Sequence, residues 1–140
     1  MNSIKHLAVT LAATFVLTAV VSAEDATPTA TLPPAASKTG VTYATDIKPI
    51  FEASCVKCHS GDRPKARLSL DTLEGVLKGT KQGKIVTAGD SANSLIVKAV
   101  AHMTKDPDGW MPPPNNRAGI KPLTPEQIGL IRAWIDQGAK

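Results

Sequence analysis

The chain has 140 residues, which is enough for an exported leader and one domain of about 100 residues. Its formal net charge is only +4 at pH 7, and no basic cluster alternates with aromatic residues, so the sequence does not support nucleic-acid binding. The chain has two Trp, one Tyr and two Phe, and Phe15 falls in the expected leader, so four large rings remain for the core of the domain. A buried cofactor would supply the missing apolar mass.

Residues 1–23 have the pattern of a secretory signal peptide. Lys5 supplies a positive charge, Leu7 to Val21 is uncharged and mostly apolar, and Val21-Ser22-Ala23 places short residues where signal peptidase cuts. The apolar stretch is shorter than the roughly 20 residues that cross a bilayer. We expect export to the periplasm or an equivalent compartment. Membrane association is expected only if the leader stays uncleaved as an anchor.

Residues 24–40 are rich in Pro, Thr and Ala, and Leu32 is their only large side chain. Such a segment buries too little surface to offset the entropy lost on ordering it. The composition therefore predicts a flexible tether, followed by ordered chain from about Val41.

Four later segments carry apolar residues at helical spacing, and no run alternates long enough to predict a strand. Their predicted limits are Thr45 or Asp46 to Cys55, Asp71 to Gly79, Asp90 or Ser91 to Val100, and Thr124 to Gly138. The last segment is the clearest, because Thr124 and Gln127 can form a capping box around Pro125. The predicted fold class is all-α, a small domain of about four short helices joined by long loops.

Cys55, Cys58 and His59 lie in the sequence Cys-Val-Lys-Cys-His, the pattern of c-type haem attachment. Two thiols three positions apart on a helical turn can each reach one vinyl group of a porphyrin. The next residue then directs its imidazole at the iron from the proximal side. We expect this imidazole to be neutral and to be oriented by a backbone carbonyl at its other nitrogen. The motif predicts one covalent haem c.

Three other uses of the two cysteines were weighed. A redox pair of the thioredoxin type follows a strand in a βαβ unit, and no strand is predicted here. A structural zinc site needs four ligands, whereas only Cys55, Cys58, His59 and His102 offer thiol or imidazole donors after the leader. A disulfide would suit an exported protein but gives His59 no role. Haem attachment explains all three residues of the motif.

The second axial iron ligand has three candidates, Met111, Met103 and His102. Met111 precedes the run Pro112-Pro113-Pro114, which excludes a helix and holds the chain extended. Met103 directly follows an apolar helix, so packing explains it better. We favour Met111 and keep Met103 and His102 as alternatives.

These features resemble a mono-haem class I cytochrome c, and most closely the planctomycete-type cytochrome c domain. The matching pieces are Asp46 to Phe51, Cys55 to His59, Gly89-Asp90 with Ser94-Leu95, Met111-Pro112-Pro113, and Leu123 through Trp134-Ile135 to Gly138-Ala139. The resemblance implies that residues 41–140 form the cytochrome c domain and that His59 and Met111 are its axial ligands. It also implies that the first and last helices pack across each other near the haem.

The expected function is single-electron transfer by an exported carrier whose iron has both axial positions filled. No catalytic residue is assigned, and the protein is not expected to be an enzyme. The alternative is a haem c peroxidase-like enzyme or a gas-binding sensor with an open sixth position. The mild excess of lysine favours redox partner proteins with acidic docking surfaces.

Overall fold

The structure is a computed structural model that describes residues 31–140. The predicted signal peptide and the first part of the predicted tether lie outside the described residues. Within the described range the α-helices are α1 Lys48–Ser54, α2 Leu73–Lys78, α3 Leu95–Val100 and α4 Pro125–Asp136. A π-helical turn, Tyr43–Ile47, leads directly into α1, and 3-10 turns lie at Lys65–Arg67 and Pro107–Gly109.

The described range contains no strand, only an isolated bridge between Thr80 and Gly83. The all-α prediction is confirmed for these residues. None of their helices has both the length and the apolar character needed to cross a membrane.

The first helical segment begins earlier than the sequence predicted. Thr42, rather than Thr45 or Asp46, is the N-cap, since its side chain accepts a hydrogen bond from the Thr45 amide at 3.3 Å. The Asp46 carboxylate in turn accepts one from the Thr42 amide at 3.0 Å. The extra π-helical turn buries Tyr43 and Ile47. No local sequence signal predicts that the helical segment begins as early as Tyr43.

The start of α3 also differs from the prediction. Its N-cap is Ser94, and Asp90 instead caps the preceding turn by accepting from the Asn93 amide at 3.1 Å. Ser91 is 1% exposed, and its amide and hydroxyl both donate to the carboxylate of Asp136 in α4. This tie to a distant helix holds residues 91–94 in a separate turn.

The limits of α2 and α4 agree closely with the sequence. Thr72 caps α2 one residue after the predicted start, and Gly79 ends it with a φ of +80°. The capping box of α4 is formed as predicted, with hydrogen bonds of 3.3 Å and 2.9 Å between Thr124 and Gln127. Local capping chemistry was sufficient to predict both helices.

The core forms where α4 meets the π-helical turn. Trp134 of α4 is fully buried, and its ring lies 6.1 Å from that of Tyr43, which in turn meets Phe51 edge-on at 6.2 Å. The Tyr43 hydroxyl donates to the Leu70 carbonyl at 3.0 Å and so ties the loop after α1 to this core. The first and last helical segments therefore pack together, and the contact runs through the π-helical turn.

Residues 32–38, here called the strap, lie along α4. The Ala36 amide donates to the Gly129 carbonyl at 2.9 Å, and the Lys38 carbonyl accepts from Gln137 at 2.8 Å. A Cβ at position 129 would come within 2.7 Å of the Pro34 carbonyl oxygen, so this close approach requires glycine. This part of the predicted flexible tether is packed on the domain, and the ordered chain begins before Val41.

Candidate haem site

The cysteine motif continues the path of α1 as a series of hydrogen-bonded turns. The Cys55 amide donates to the Phe51 carbonyl at 2.7 Å, and the His59 amide donates to the Cys55 carbonyl at 3.0 Å. The Cys58 amide also donates to the Cys55 carbonyl, at 3.1 Å. Both cysteines and the histidine thus lie on one helical turn anchored to the buried end of α1.

The His59 imidazole is 9% exposed and has a defined orientation. Its Nδ1–H donates to the Lys65 carbonyl at 3.1 Å, which leaves Nε2 as the nitrogen with a free lone pair. Burial lowers the pKa of this imidazole and so favours its neutral form. A neutral imidazole oriented through a backbone carbonyl is the state that an iron ligand requires.

An apolar cavity of about 380 Å³ opens beside this turn. Cys55, Cys58, His59 and Met111 all line it. Most of its other wall residues are aliphatic or proline: Ala66, Leu68, Leu70, Ile85, Leu95, Ile96, Ala99, Val100, Pro112, Pro113, Ile120 and Leu123. The cavity volume lies within the usual range for cofactor sites.

Both cysteines are free thiols, and both are half-buried. Burial raises the pKa of the Cys55 thiol to about 12, so the thiol is neutral at physiological pH. Across residues 31–140, no group of three or more His, Cys, Asp or Glu side chains lies close enough together to hold a metal ion. The sulfur and imidazole groups on the cavity wall are two thiols, one imidazole and one thioether.

Met111 reaches the cavity wall from the loop that follows α3. Its amide donates to the Ala99 carbonyl of that helix at 3.0 Å. Farther along the same loop, the Asn116 side chain donates to the carbonyls of Pro113 and Ile120 and accepts from the Ile120 amide, at 2.8–2.9 Å. Sequence analysis did not identify Asn116 as part of this region, because its role depends on loop backbone that no motif marks.

The other two ligand candidates lie elsewhere. His102 and Met103 do not line the cavity, although both lie in the described part of the chain. The His102 ring is stacked on Trp110, with ring centroids 5.1 Å apart and planes 6° apart. Of the three candidates from the sequence, the structure brings Met111 to the same cavity as His59.

Residues 55–115 match the family model described as Planctomycete cytochrome C. This segment is a planctomycete cytochrome C domain. The match begins at Cys55 and extends past Met111, so it includes all four donors on the cavity wall. A cytochrome c domain with two cysteines in this motif implies covalent haem c. No curated protein and no solved structure gave a significant match.

The residues of this cytochrome C domain fit a covalently attached haem. The wall is apolar, the two thiols lie on one turn, and His59 presents a free lone pair. Helices α1 and α4 lie outside the matched segment, yet α4 and the π-helical turn supply much of the buried core.

Proposed function

We propose that this protein is an exported mono-haem c-type cytochrome that transfers single electrons between redox partners. The observation that carries the proposal is the convergence of Cys55, Cys58, His59 and Met111 on one apolar cavity. An electron carrier needs a firmly held, water-poor cofactor site rather than a site for substrate. The four donors and the aliphatic wall provide such a site.

Each of the four residues has a defined part in the proposal. Cys55 and Cys58 would hold the haem through thioether bonds, His59 would bind the iron through Nε2, and Met111 would bind it through its sulfur. The bound haem would supply one iron that alternates between the ferrous and ferric states. The hydrogen bond from His59 to the Lys65 carbonyl keeps the imidazole in the required tautomer, and the Met111 thioether would favour the ferrous state.

The chemistry of the wall favours a carrier over a catalyst. Among the described residues that line the cavity there is no Asp or Glu, and the only basic side chains are His59 and Lys65. His59 is engaged as the proposed proximal ligand, so no histidine or carboxyl group remains on the wall for general acid–base chemistry. We therefore propose that the protein is not an enzyme.

The surface around the cavity supports electron exchange with another protein. Leu95 lines the cavity and is 50% exposed, so one edge of the proposed haem would lie close to the surface. The positive net charge would favour partners with acidic docking surfaces. The signal-like residues 1–23 support a periplasmic or otherwise exported location.

The haem proposal is tested with protein produced alongside a haem-maturation system. After denaturing electrophoresis the wild type should retain haem on the gel, and the variant with both Cys55→Ala and Cys58→Ala should retain none. Met103→Leu, on a residue away from the cavity, is the matched control and should retain haem. Haem that leaves the denatured wild type would contradict covalent attachment, and bound zinc in its place would favour the metal-site alternative.

The proposal that the protein is an electron carrier, rather than a peroxidase-like enzyme or a gas sensor, is tested by adding carbon monoxide to the reduced protein. The wild type should bind it poorly, because in this proposal the Met111 sulfur would fill the sixth position. Met111→Ala should bind it readily, lose the ferric methionine-to-iron charge-transfer band and have a lower reduction potential. A wild type that binds carbon monoxide readily would instead support a peroxidase-like enzyme or a gas sensor.

A further inference from the structure

Helix α3 ends in a Schellman motif whose glycine position is occupied by His102. The Met103 amide donates to the Lys98 carbonyl at 2.8 Å, and the His102 amide donates to the Ala99 carbonyl at 3.1 Å. His102 has a φ of +55°, in the left-handed region. Glycine is the usual residue at this position because a Cβ is unfavourable there. His102 places a side chain at this position, which allows contacts that glycine could not make.

The imidazole of His102 makes two such contacts, one on each side of Met111. Its ring is stacked on Trp110, with centroids 5.1 Å apart and planes 6° apart. Its Nε2–H donates to the Pro112 carbonyl at 3.2 Å. Because the Met111 amide is itself bonded to the Ala99 carbonyl, three successive residues of the loop are held to the end of α3.

We propose that His102 is a positioning residue that holds Met111 in place as the distal iron ligand. The inference rests on the proposed function, since it takes Met111 as that ligand. The stacked ring fixes the residue before Met111 and the hydrogen bond fixes the residue after it, so the thioether has little freedom to leave the cavity. His102 is thereby assigned a role in the coordination of the iron without binding it.

Three substitutions separate the contributions of the imidazole. His102→Phe keeps an aromatic ring for Trp110 but cannot donate to the Pro112 carbonyl. His102→Gln keeps a donor near Nε2 but loses the stacking. His102→Gly removes both contacts and also relieves the unfavourable left-handed backbone. Met103→Leu, at the next position and away from the cavity, is the control.

The readouts are the ferric methionine-to-iron band, carbon monoxide binding to the ferrous protein, and the thermal midpoint of the holo-protein. Loss of one net hydrogen bond should shift the balance between bound and detached Met111 by about five- to tenfold, so His102→Phe should bind carbon monoxide correspondingly more readily. His102→Gln should lie between His102→Phe and the wild type. His102→Gly should show the largest increase while its thermal midpoint stays unchanged or rises, an outcome that a purely structural role would not produce.

If both His102→Phe and His102→Gly bind carbon monoxide as weakly as the wild type and keep its ferric band, the positioning role is overturned. The carrier function would remain intact. A decrease in thermal midpoint in His102→Gly without any change in ligand binding would likewise reduce His102 to a structural residue. If the wild type itself lacks the methionine band, the assignment of Met111 fails, and the positioning role fails with it.

Discussion

The α4 side of the domain and the haem-cavity side differ in what their buried apolar residues face. On the α4 side Phe51, Ile131 and Trp134 are 0% exposed and contact other side chains of the same chain. On the cavity side Leu68 and Leu123 are buried as well, but both line the apolar cavity of about 380 Å³. Atoms that face a void lack dispersion partners on that side. One side of the domain is therefore completed by its own chain, whereas the other would be completed by the proposed haem.

The largest expected effect comes from withholding the haem. The chain produced without haem maturation should be largely unfolded, because its small core is marginal and the cavity wall has nothing to pack against. Circular dichroism should show much less helix than in the holo-protein, without a cooperative melting transition. A fully helical apo-protein that melts cooperatively would show that the α4 side is sufficient to fold the chain.

Trp134→Ala tests the packed side directly. Trp134 is fully buried, and its indole N–H donates to the Lys140 carbonyl at 2.9 Å. The substitution should lower the free energy of unfolding of the holo-protein by about 3–5 kcal/mol in urea titrations. Leu77→Ala, on a side chain that is 37% exposed, is the control and should change it by about 0.5 kcal/mol or less. Equal effects of the two substitutions would contradict the description of the packed side.

Gly129→Ala tests the contact between the strap and α4. In a free helix this change would stabilise by about 1 kcal/mol. Here the new Cβ would come within 2.7 Å of the Pro34 carbonyl oxygen and should displace the strap. Hydrogen exchange of the Ala36 amide should become faster, with little or no gain in stability.

A chain truncated before residue 39 provides the control for Gly129→Ala. Without the strap, the same substitution should stabilise the protein by about 1 kcal/mol. An equal gain in the full chain, with the Ala36 amide still protected, would mean that the strap does not constrain position 129.

The smallest effect is expected at Asp46, at the outer edge of the packed side. The ion pair with Lys38 and hydrogen bonds from Thr42 and Thr45 lower the pKa of this carboxyl from 3.8 to about 2. Because the folded-state pKa lies below the unfolded one, the stabilisation is present above pH 4 and is lost as the pH falls towards 2. Urea midpoints measured through this window should depend less on pH in Asp46→Asn, and Lys38→Met should reproduce part of that change.

Much of the helical structure could be predicted from short-range signals. The limits of α4 follow from Thr124, Pro125 and Gln127, which act on backbone within one turn. The starts of α3 and of the first helical segment could not be located in the same way. Ser94 begins α3 because Ser91 is bonded to Asp136 in another helix, and Thr42 replaces Asp46 as a cap because Tyr43 packs on Trp134. These are long-range contacts that leave no periodic pattern in the sequence.

The sequence by itself determined the haem-attachment motif, because Cys55, Cys58 and His59 act within a single turn. Their geometry follows from spacing alone, and the predicted carbonyl partner of the histidine is present at Lys65. Only the tertiary structure decided which of three candidate ligands lies on the cavity, since that depends on how the loop after α3 folds back. It brought Met111 to the cavity wall and stacked His102 on Trp110, because the end of α3 binds this loop through Ala99 and His102.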